Sequence, residues 1–490
     1  MLNLGQLLGS GIFSVPGVVL NSVGSVGLLL TFWVIAPIFA FVGLAAYTEL
    51  ASMFPNRSGA EVVFLEQAYP HPRFFVPVAF AVTAVLLSFS ATNSVVFAQY
   101  FLAIFDIPVT EFRQTSLALA VATFCVGAVG VSTKWSLKAV NFLTAFKVLS
   151  LAFIALTGIA VLTGLTRITH PFANFENLWA GGSSNPNALA TALVKTNFAF
   201  VGWANAFNVL AEVKGKNPVR TVRNAGYISL GIVTALFFLV NVAYVAAVPI
   251  DEIKGSGQLV AALFFKYVFG EHWASKILPI LVVLSCVGNI TVGQARVIRE
   301  VARQGLLPYP QFFASTKPWG TPLAPVGLKY LLTAIVILAL PAKDAFNFLL
   351  DLASYPHLVF TMATGIGIWV LRRRRAAEGF SPSPFKVWNS AIIMWLVKCA
   401  FLLIMPWVPP EEGHGDVSFW YATYCVVGIG ILALCAVYYY VWIILLPRIG
   451  GYEIVEEVIE LGGGARTTHL VRKYHTDAEE ERPLLASSSS

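Results

Sequence analysis

Charge is scarce in this chain: Asp, Glu, Lys and Arg make up only 12% of its 490 residues, about half the share of an ordinary soluble domain. Such scarcity, with 57% hydrophobic residues and a mean hydropathy of +0.74, excludes a soluble enzyme and a disordered or fibrous chain. Histidine is also sparse, and of the 7 only His357 falls well inside an apolar stretch. An intramembrane hydrolase or metalloenzyme needs His with Ser or Asn, paired carboxylates or a His cluster at depth, so an enzyme, a metal and a cofactor are not expected. The 5 cysteines, Cys125, Cys286, Cys399, Cys425 and Cys435, all lie in apolar stretches without Cys-x-x-Cys spacing. They read as reduced packing residues rather than disulfides or zinc ligands. The formal net charge of +7 is spread over short loops and makes no groove for nucleic acid.

What is present is a series of long apolar runs. A stretch of about 20 residues crosses the hydrocarbon core, and about twelve such runs follow one another. Their limits are near 2–22, 26–54, 74–105, 115–132, 138–165, 189–213, 222–248, 275–298, 325–341, 345–371, 388–408 and 417–447. The even-numbered gaps carry cations: Arg57 and Arg73, then Lys134 and Lys138, then Lys214, Lys216, Arg220 and Arg223, then Arg299, Arg303 and Lys317, then Arg372 to Arg375. The odd gaps hold Asp106, Glu111, Asp251, Glu252, Asp344, Glu411, Glu412 and Asp416. Lys and Arg accumulate on the cytoplasmic side, so the even gaps and both termini are expected there. Met1 stands directly at the first apolar span, with no signal peptide, which implies either a naturally short arm or a truncated reading of the gene.

Two spans carry residues that a continuous helix avoids. Span one contains Gly9-Ser10-Gly11-Ile12-Phe13 followed by Pro16-Gly17, and span six contains Phe198-Ala-Phe-Val-Gly202-Trp-Ala-Asn205. The breaks stand five spans apart, and an odd offset requires the second five-span unit to enter the membrane from the opposite face. This predicts an inverted repeat with a substrate site where the broken helices meet. An unwound turn frees backbone N–H and C=O groups, and a half-helix N-terminus is partially positive, a setting suited to a zwitterion.

These residues resemble the amino acid-polyamine-organocation transporters, and specifically their L-type amino acid transporter branch. The first-helix signature is Gly9-Ser-Gly-Ile-Phe13-x-x-Pro16-Gly17, followed by Tyr47-Thr-Glu49-Leu50, Pro55-x-x-Ser58-Gly59-Ala60-Glu61, Phe198-Ala-Phe-Val-Gly202-Trp203 and Glu212-x4-Asn217-Pro218-x-Arg220. Ser58-Gly-Ala-Glu61 with Phe64-Leu-Glu66 is similar to the fungal high-affinity methionine permeases. The resemblance implies an all-α, LeuT-like fold of about 12 transmembrane helices, a 5+5 inverted repeat with two additional helices. Residues 1–165 would form the first repeat, 166–371 the second, 372–447 the additional helices and 448–490 a cytoplasmic tail. The substrate carboxylate would meet Ser10, Gly11 and Ile12, and the ammonium the carbonyls around Gly5 to Leu8 and Phe198 to Val201. Phe198 would be the aromatic gate of a substrate-binding segment that continues through Ala199, Phe200, Val201 and Gly202. Two residues depart from the family pattern: Val201 stands where related proteins often have glycine, which would make the pocket smaller, and Ala60 replaces the loop's second glycine.

Lys147, about 14 Å along the fifth helix from Lys138, falls near mid-depth. The resemblance implies that it replaces the sodium of related transporters, as a fixed charge or as the proton carrier. Glu49 and Glu212 read as loop ion pairs or snorkelling groups, and His357 as a packing residue, with a proton-linked site as the alternative. Asp351 and Lys398 are charges at depth without an assigned role. Trp135, Trp179, Trp273 and Trp407 read as interface anchors. The loop Asp106 to Gln114 has no cysteine, so the disulfide-linked heavy chain of animal relatives is not expected. In the tail, Tyr452 to Glu460 has helical periodicity, and Glu480-Glu-Arg-Pro-Leu484-Leu485 fits an acidic dileucine signal for sorting adaptors. The function expected is proton-coupled uptake of neutral, methionine-like L-amino acids at the plasma membrane, or at a vacuolar membrane. The alternatives are a nutrient receptor with little flux and an uncoupled exchanger.

Overall fold

A computed structural model of the chain describes residues 2–57, 59–131, 133–213, 217–270, 276, 278–317, 320–410, 416–461 and 465–474. Ser58, Lys214, Lys216, Trp273, Glu411, Glu412 and the dileucine stretch lie outside them, as do the side chains of Lys134, Trp135 and Glu212.

The apolar runs form helices in the expected order. Span one is α1 (Leu2–Leu7) and α2 (Gly11–Val23), span two is α3 (Val26–Met53), and the following loop holds α4 (Glu61–Ala68). Span three is α5 (Phe75–Leu86) and α6 (Ala91–Ile104), followed by α7 (Glu111–Val131) and α8 (Thr133–Leu162). Span six is α9 (Pro186–Ala199) with a 3-10 turn over Asn205–Glu212, and span seven is α10 (Pro218–Ala247). The loop helices α11 (Ile250–Gly255) and α12 (Val260–Phe269) precede α13 (Ile280–Arg303), α14 (Pro310–Ala314), α15 (Leu323–Ala339) and α16 (Ala345–Ala377). The last spans are α17 (Asn389–Ile404) and α18 (Thr423–Tyr439), with α19 (Leu446–Gly450) ending the apolar region.

Local chemistry sets several boundaries. Ser25 caps α3, its hydroxyl accepting from the Leu28 amide at 3.3 Å, and Gly24 ends α2 in the left-handed region at φ 76°. Asn185 caps α9 by accepting from the amides of Asn187 and Ala188, with Pro186 in the first helical turn, where its missing N–H costs nothing. In a bilayer the interior of the bundle gains by close packing rather than by leaving water, and its glycines serve that end. A Cβ on Gly158 of α8 would lie 2.2 Å from the Ala243 Cβ of α10, and one on Gly226 of α10 would lie 2.7 Å from Leu44 of α3.

The loops sort onto two faces. On the basic face Arg372 holds Glu49 through two hydrogen bonds of 2.7 Å, Arg374 donates to the Gln67 carbonyl at 2.7 Å, and Arg57 pairs with Glu66. Glu49 therefore has the ion-pair role expected of it. On the opposite face Asn185 donates to the Pro409 carbonyl, Asn174 to those of Val245 and Val248, and the Ser418 amide to Asp344.

Two features depart from the sequence reading. Span three is not one helix: it is interrupted at residues 87–90, where the Ser90 amide donates to the Thr333 hydroxyl of α15 at 3.0 Å. The tail segment from Tyr452 is a strand rather than a helix: β1 (Tyr452–Leu461) pairs antiparallel with β2 (Ala465–Tyr474). The β-branched Ile454 and Val455 favour extended backbone, and the acidic strand faces a basic one, Glu453 opposite Lys473 and Glu457 opposite His469. A short isolated helix would have had no such partner. The hairpin lies on the basic face, with the Leu470 amide donating to the Gln304 carbonyl at 3.0 Å.

Candidate functional site

The broken spans meet at the centre of the bundle. α1 ends at Leu7, residues 8–10 are irregular, and α2 starts at Gly11, so the first amides of α2 have no intrahelical acceptor. The Ser10 carbonyl accepts from the amides of Phe13 and Ser14, both at 3.1 Å, which starts the new helix. The hydroxyls of Ser10 and Ser14 are buried and make no hydrogen bond to the described protein. Such orphaned groups are uncommon in a packed interior and fit a site that receives a polar ligand. Pro16 continues α2 without breaking it, and its neighbour Gly17 passes under the loop beyond α11. There a Cβ would lie 2.4 Å from the Ser256 hydroxyl.

α9 ends at Ala199, residues 200–204 are irregular, and the chain resumes as the 3-10 turn. Gly202 sits at φ 119°, and a Cβ there would press within 3.0 Å of the Gln6 side chain of α1. Glycine is thus required both by the backbone conformation and by the close approach of the two breaks. Asn205 Nδ2 donates to Gln6 Oε1, a second tie between them.

The predicted site residues divide into groups. Ser10, Gly11 and Ile12 form the start of α2 and are buried. Gly11 touches Ala199 directly: a Cβ on Gly11 would lie 3.0 Å from the Ala199 Cα and 3.1 Å from its Cβ. A side chain at residue 11 would therefore meet α9 rather than open space. Phe198 is half-buried and Val201 exposed, while Ala199 is buried against Gly11. Phe200 points away from the break into an aromatic cluster, its ring 5.9 Å from Trp33 of α3 and 5.3 Å from Phe237 of α10. Trp203 packs on α3 over Gly43, with Tyr47 4.8 Å away in an edge-on contact.

Lys147 of α8 is buried, and its Nζ donates to the Gly5 carbonyl of α1 at 3.4 Å. The ammonium thus sits against the half-helix that precedes the first break. Thr144, one turn earlier, lies where a Gly5 Cβ would fall, 2.9 Å from its hydroxyl. His357 faces outward from the bundle, and Lys398 lies over the Phe39 ring at 5.5 Å, so neither approaches the breaks.

Sequence reasoning missed several buried polar groups. Tyr100 of α6 donates to the Phe13 carbonyl of α2 at 2.9 Å, tying broken span three to broken span one. Lys195 of α9 is fully buried, forms an ion pair with Asp416 and interacts electrostatically with Asp351 of α16. Lys329 of α15 donates to the Ile290 carbonyl at 2.9 Å. Depth arithmetic could have found Lys195, nine residues past the helix start at Pro186 and so about 14 Å in. Tyr100 carried no such signal. Beside the bundle, the Tyr47 hydroxyl donates to Glu61 Oε1 of α4 at 2.9 Å. Burial pushes the Glu61 carboxyl above its ordinary range, and that hydrogen bond partly offsets the shift.

The family model described as amino acid permease matches residues 1–432. The high-affinity methionine permease of Saccharomyces cerevisiae is 33% identical over 92% of this chain and 79% of its own length. The low-affinity methionine permease of the same yeast is 27% identical over 96% of this chain and 86% of its own. The human large neutral amino acids transporter small subunit 2 is 28% identical over 83% of this chain and 74% of its own. A matched permease model and transporter relatives agree with the exclusion of an enzyme. With two broken helices meeting at a central junction and the permease signature running through nearly all its spans, the chain belongs to the amino acid permease family, within the amino acid-polyamine-organocation superfamily.

Proposed function

We propose that this permease is a secondary active transporter that imports neutral L-amino acids, methionine or a similar apolar one, in symport with protons. The observation that carries the reading is the junction of the two breaks, where the Ser10 and Ser14 hydroxyls are buried without hydrogen-bond partners among the described residues, beside the first amides of α2. The names of the yeast and human relatives support the substrate class. Ser10 and the amides of Gly11 and Ile12 receive the carboxylate, helped by the positive end of the half-helix. The carbonyls around Gly5 to Leu8 and Phe198 to Val201 receive the ammonium, and Phe198 gates the site.

Lys147 is the coupling group. Protonated, it holds the Gly5 carbonyl and so fixes α1 against α8; deprotonated, it holds that carbonyl less strongly and frees α1 to move. The basic face is cytoplasmic, both termini lie there, and residues 1–165 and 166–371 rock against each other around the junction. Residues 372–447 add two helices outside the repeats, and the tail from 448 offers adaptors a binding site. The protein works in the plasma membrane without a disulfide-linked heavy chain.

The test is uptake of radiolabelled L-methionine, competed by each other amino acid, in cells lacking their own permeases, at two external pH values and with a protonophore. Saturable uptake that collapses with the proton gradient is the expected result. Uptake that requires an internal amino acid and ignores the protonophore would make the protein an exchanger, and surface protein that binds without flux would make it a receptor.

A further inference from the structure

A cavity of about 830 Å³ opens on the outer surface of the bundle at its basic end, between α3, α10 and the segment leading into α17. Its α3 wall is the stripe Ile38, Phe41, Val42, Ala45 and Thr48, which share one helical face. The stripe runs about 15 Å, roughly half the hydrocarbon thickness of a bilayer. Across from it the Tyr227 ring of α10 stacks on Phe41 at 5.9 Å.

The two ends of the groove differ in chemistry. At its deeper end the outer surfaces of α3 and α10 continue as exposed aliphatic side chains, Val34 and Ile38 on one, Ile228 and Ile232 on the other. At the shallow end stand Arg223 and Lys386, with Thr48 and Asn224 beside them. Arg223 lies over the Phe385 ring at 4.4 Å and donates to the Asn224 side chain, so its partners among the described residues are neutral. No carboxylate lines the groove among the described residues. Glu49, next to the lining residue Thr48 in sequence, is turned into Arg372 and the Val387 amide and is already paired. Trp388, 81% exposed, stands at the same level, where tryptophan prefers the membrane interface.

An apolar track one leaflet deep, ending in two cations without acidic partners among the described residues, matches one kind of molecule. We propose that this groove binds an anionic glycerophospholipid of the leaflet on the basic face, its phosphate between Arg223 and Lys386 and an acyl chain along the α3 stripe. Basic pockets between spans on that side suit such headgroups, and a free phosphate would leave the apolar track unused. The site is separate from the helix junction. Only the naming of the leaflet as cytoplasmic rests on the topology proposed above, so loss of lipid binding and loss of transport are independent outcomes.

The test is native mass spectrometry of the full chain in detergent, titrated with phosphatidylserine, phosphatidylcholine or inorganic phosphate. The parent should retain phosphatidylserine in preference to phosphatidylcholine. In Arg223→Gln/Lys386→Gln its affinity should fall about twenty-five-fold, roughly fivefold for each cation, with phosphatidylcholine adducts unchanged. A second variant, Ala45→Trp, fills the track but keeps both cations and should also lose phosphatidylserine, which carries the test if the charge variant does not elute as a single species. Equal phosphatidylserine affinity in parent and both variants would overturn the proposal, as would displacement of the lipid by millimolar inorganic phosphate. The same groove taking an acidic amphipathic peptide in preference to the lipid would make it a protein interface instead.

Discussion

Gly11 and Ala199 hold the two broken helices together: a Cβ on the first would lie 3.0 Å from the Cα of the second. The expected consequence of Gly11→Ala is a displaced α2, at an overpacking cost of about 1–3 kcal/mol, and loss of most uptake with normal surface delivery. Because the contact is direct, Ala199→Gly should restore part of the uptake in the Gly11→Ala background while doing little by itself. The cycle is read by methionine uptake normalised to surface protein. Strictly additive effects would show that residue 11 acts on the site without passing through α9.

Lys147 and the Gly5 carbonyl, 3.4 Å apart, tie α8 to the half-helix before the first break. Lys147→Met removes the charge and the donor while keeping most of the volume. Uptake should fall, and whatever remains should no longer vary between about pH 5 and pH 7, the interval in which external protons drive a symporter. An unchanged pH profile in this variant would refute the coupling role, whatever its absolute rate.

Lys195 is fully buried among α9, Asp351 and Asp416, whereas Asp416 keeps 17% of its side chain exposed. Removing one member leaves a buried charge uncompensated, so Lys195→Met and Asp351→Leu should each destabilise the protein by about 3–5 kcal/mol. The double variant should recover much of that loss, because Asp416 can hydrate and the other two positions become apolar. Melting of the detergent-solubilised protein measures all three. A double variant as unstable as the sum of the singles would mean that the pair is not coupled.

Glu61 gives the basic face a pH dependence. Burial raises its carboxyl in the folded protein, so folding favours the protonated acid there. Its contribution to stability is present below about pH 4.3, the unfolded value, and is lost as pH rises through the higher folded value. Glu61→Gln keeps a side-chain acceptor for Tyr47 but does not titrate. The melting temperature of the variant should be flatter with pH than that of the parent, and parallel curves would remove Glu61 as the source.

Much of the architecture was legible because the bilayer imposes local rules. A span needs a run of apolar residues, and a break needs glycine or proline, so the order of the spans and the approximate places of the two breaks, found at residues 8–10 and 200–204, could be read from short windows. The interruption of span three escaped, because its tie is the hydroxyl of Thr333, more than two hundred residues away in sequence. Where the Phe200 ring goes was not legible either, because it packs against Trp33 and Phe237, a placement set by helices from two other parts of the chain. The helical reading of the tail failed for the same kind of reason, since the strand from Tyr452 owes its conformation to pairing with β2.

The sequence by itself therefore determined the membrane class, the order of the spans, the two breaks and the segregation of basic loops, because each depends on residues close together in the chain. Only the tertiary structure decided that Gly11 packs on Ala199, that Lys147 reaches Gly5, and that Lys195 meets Asp416. The physical reason is that a close approach or a buried polar contact is a property of two backbones at once, and neither backbone's own sequence states where the other will lie.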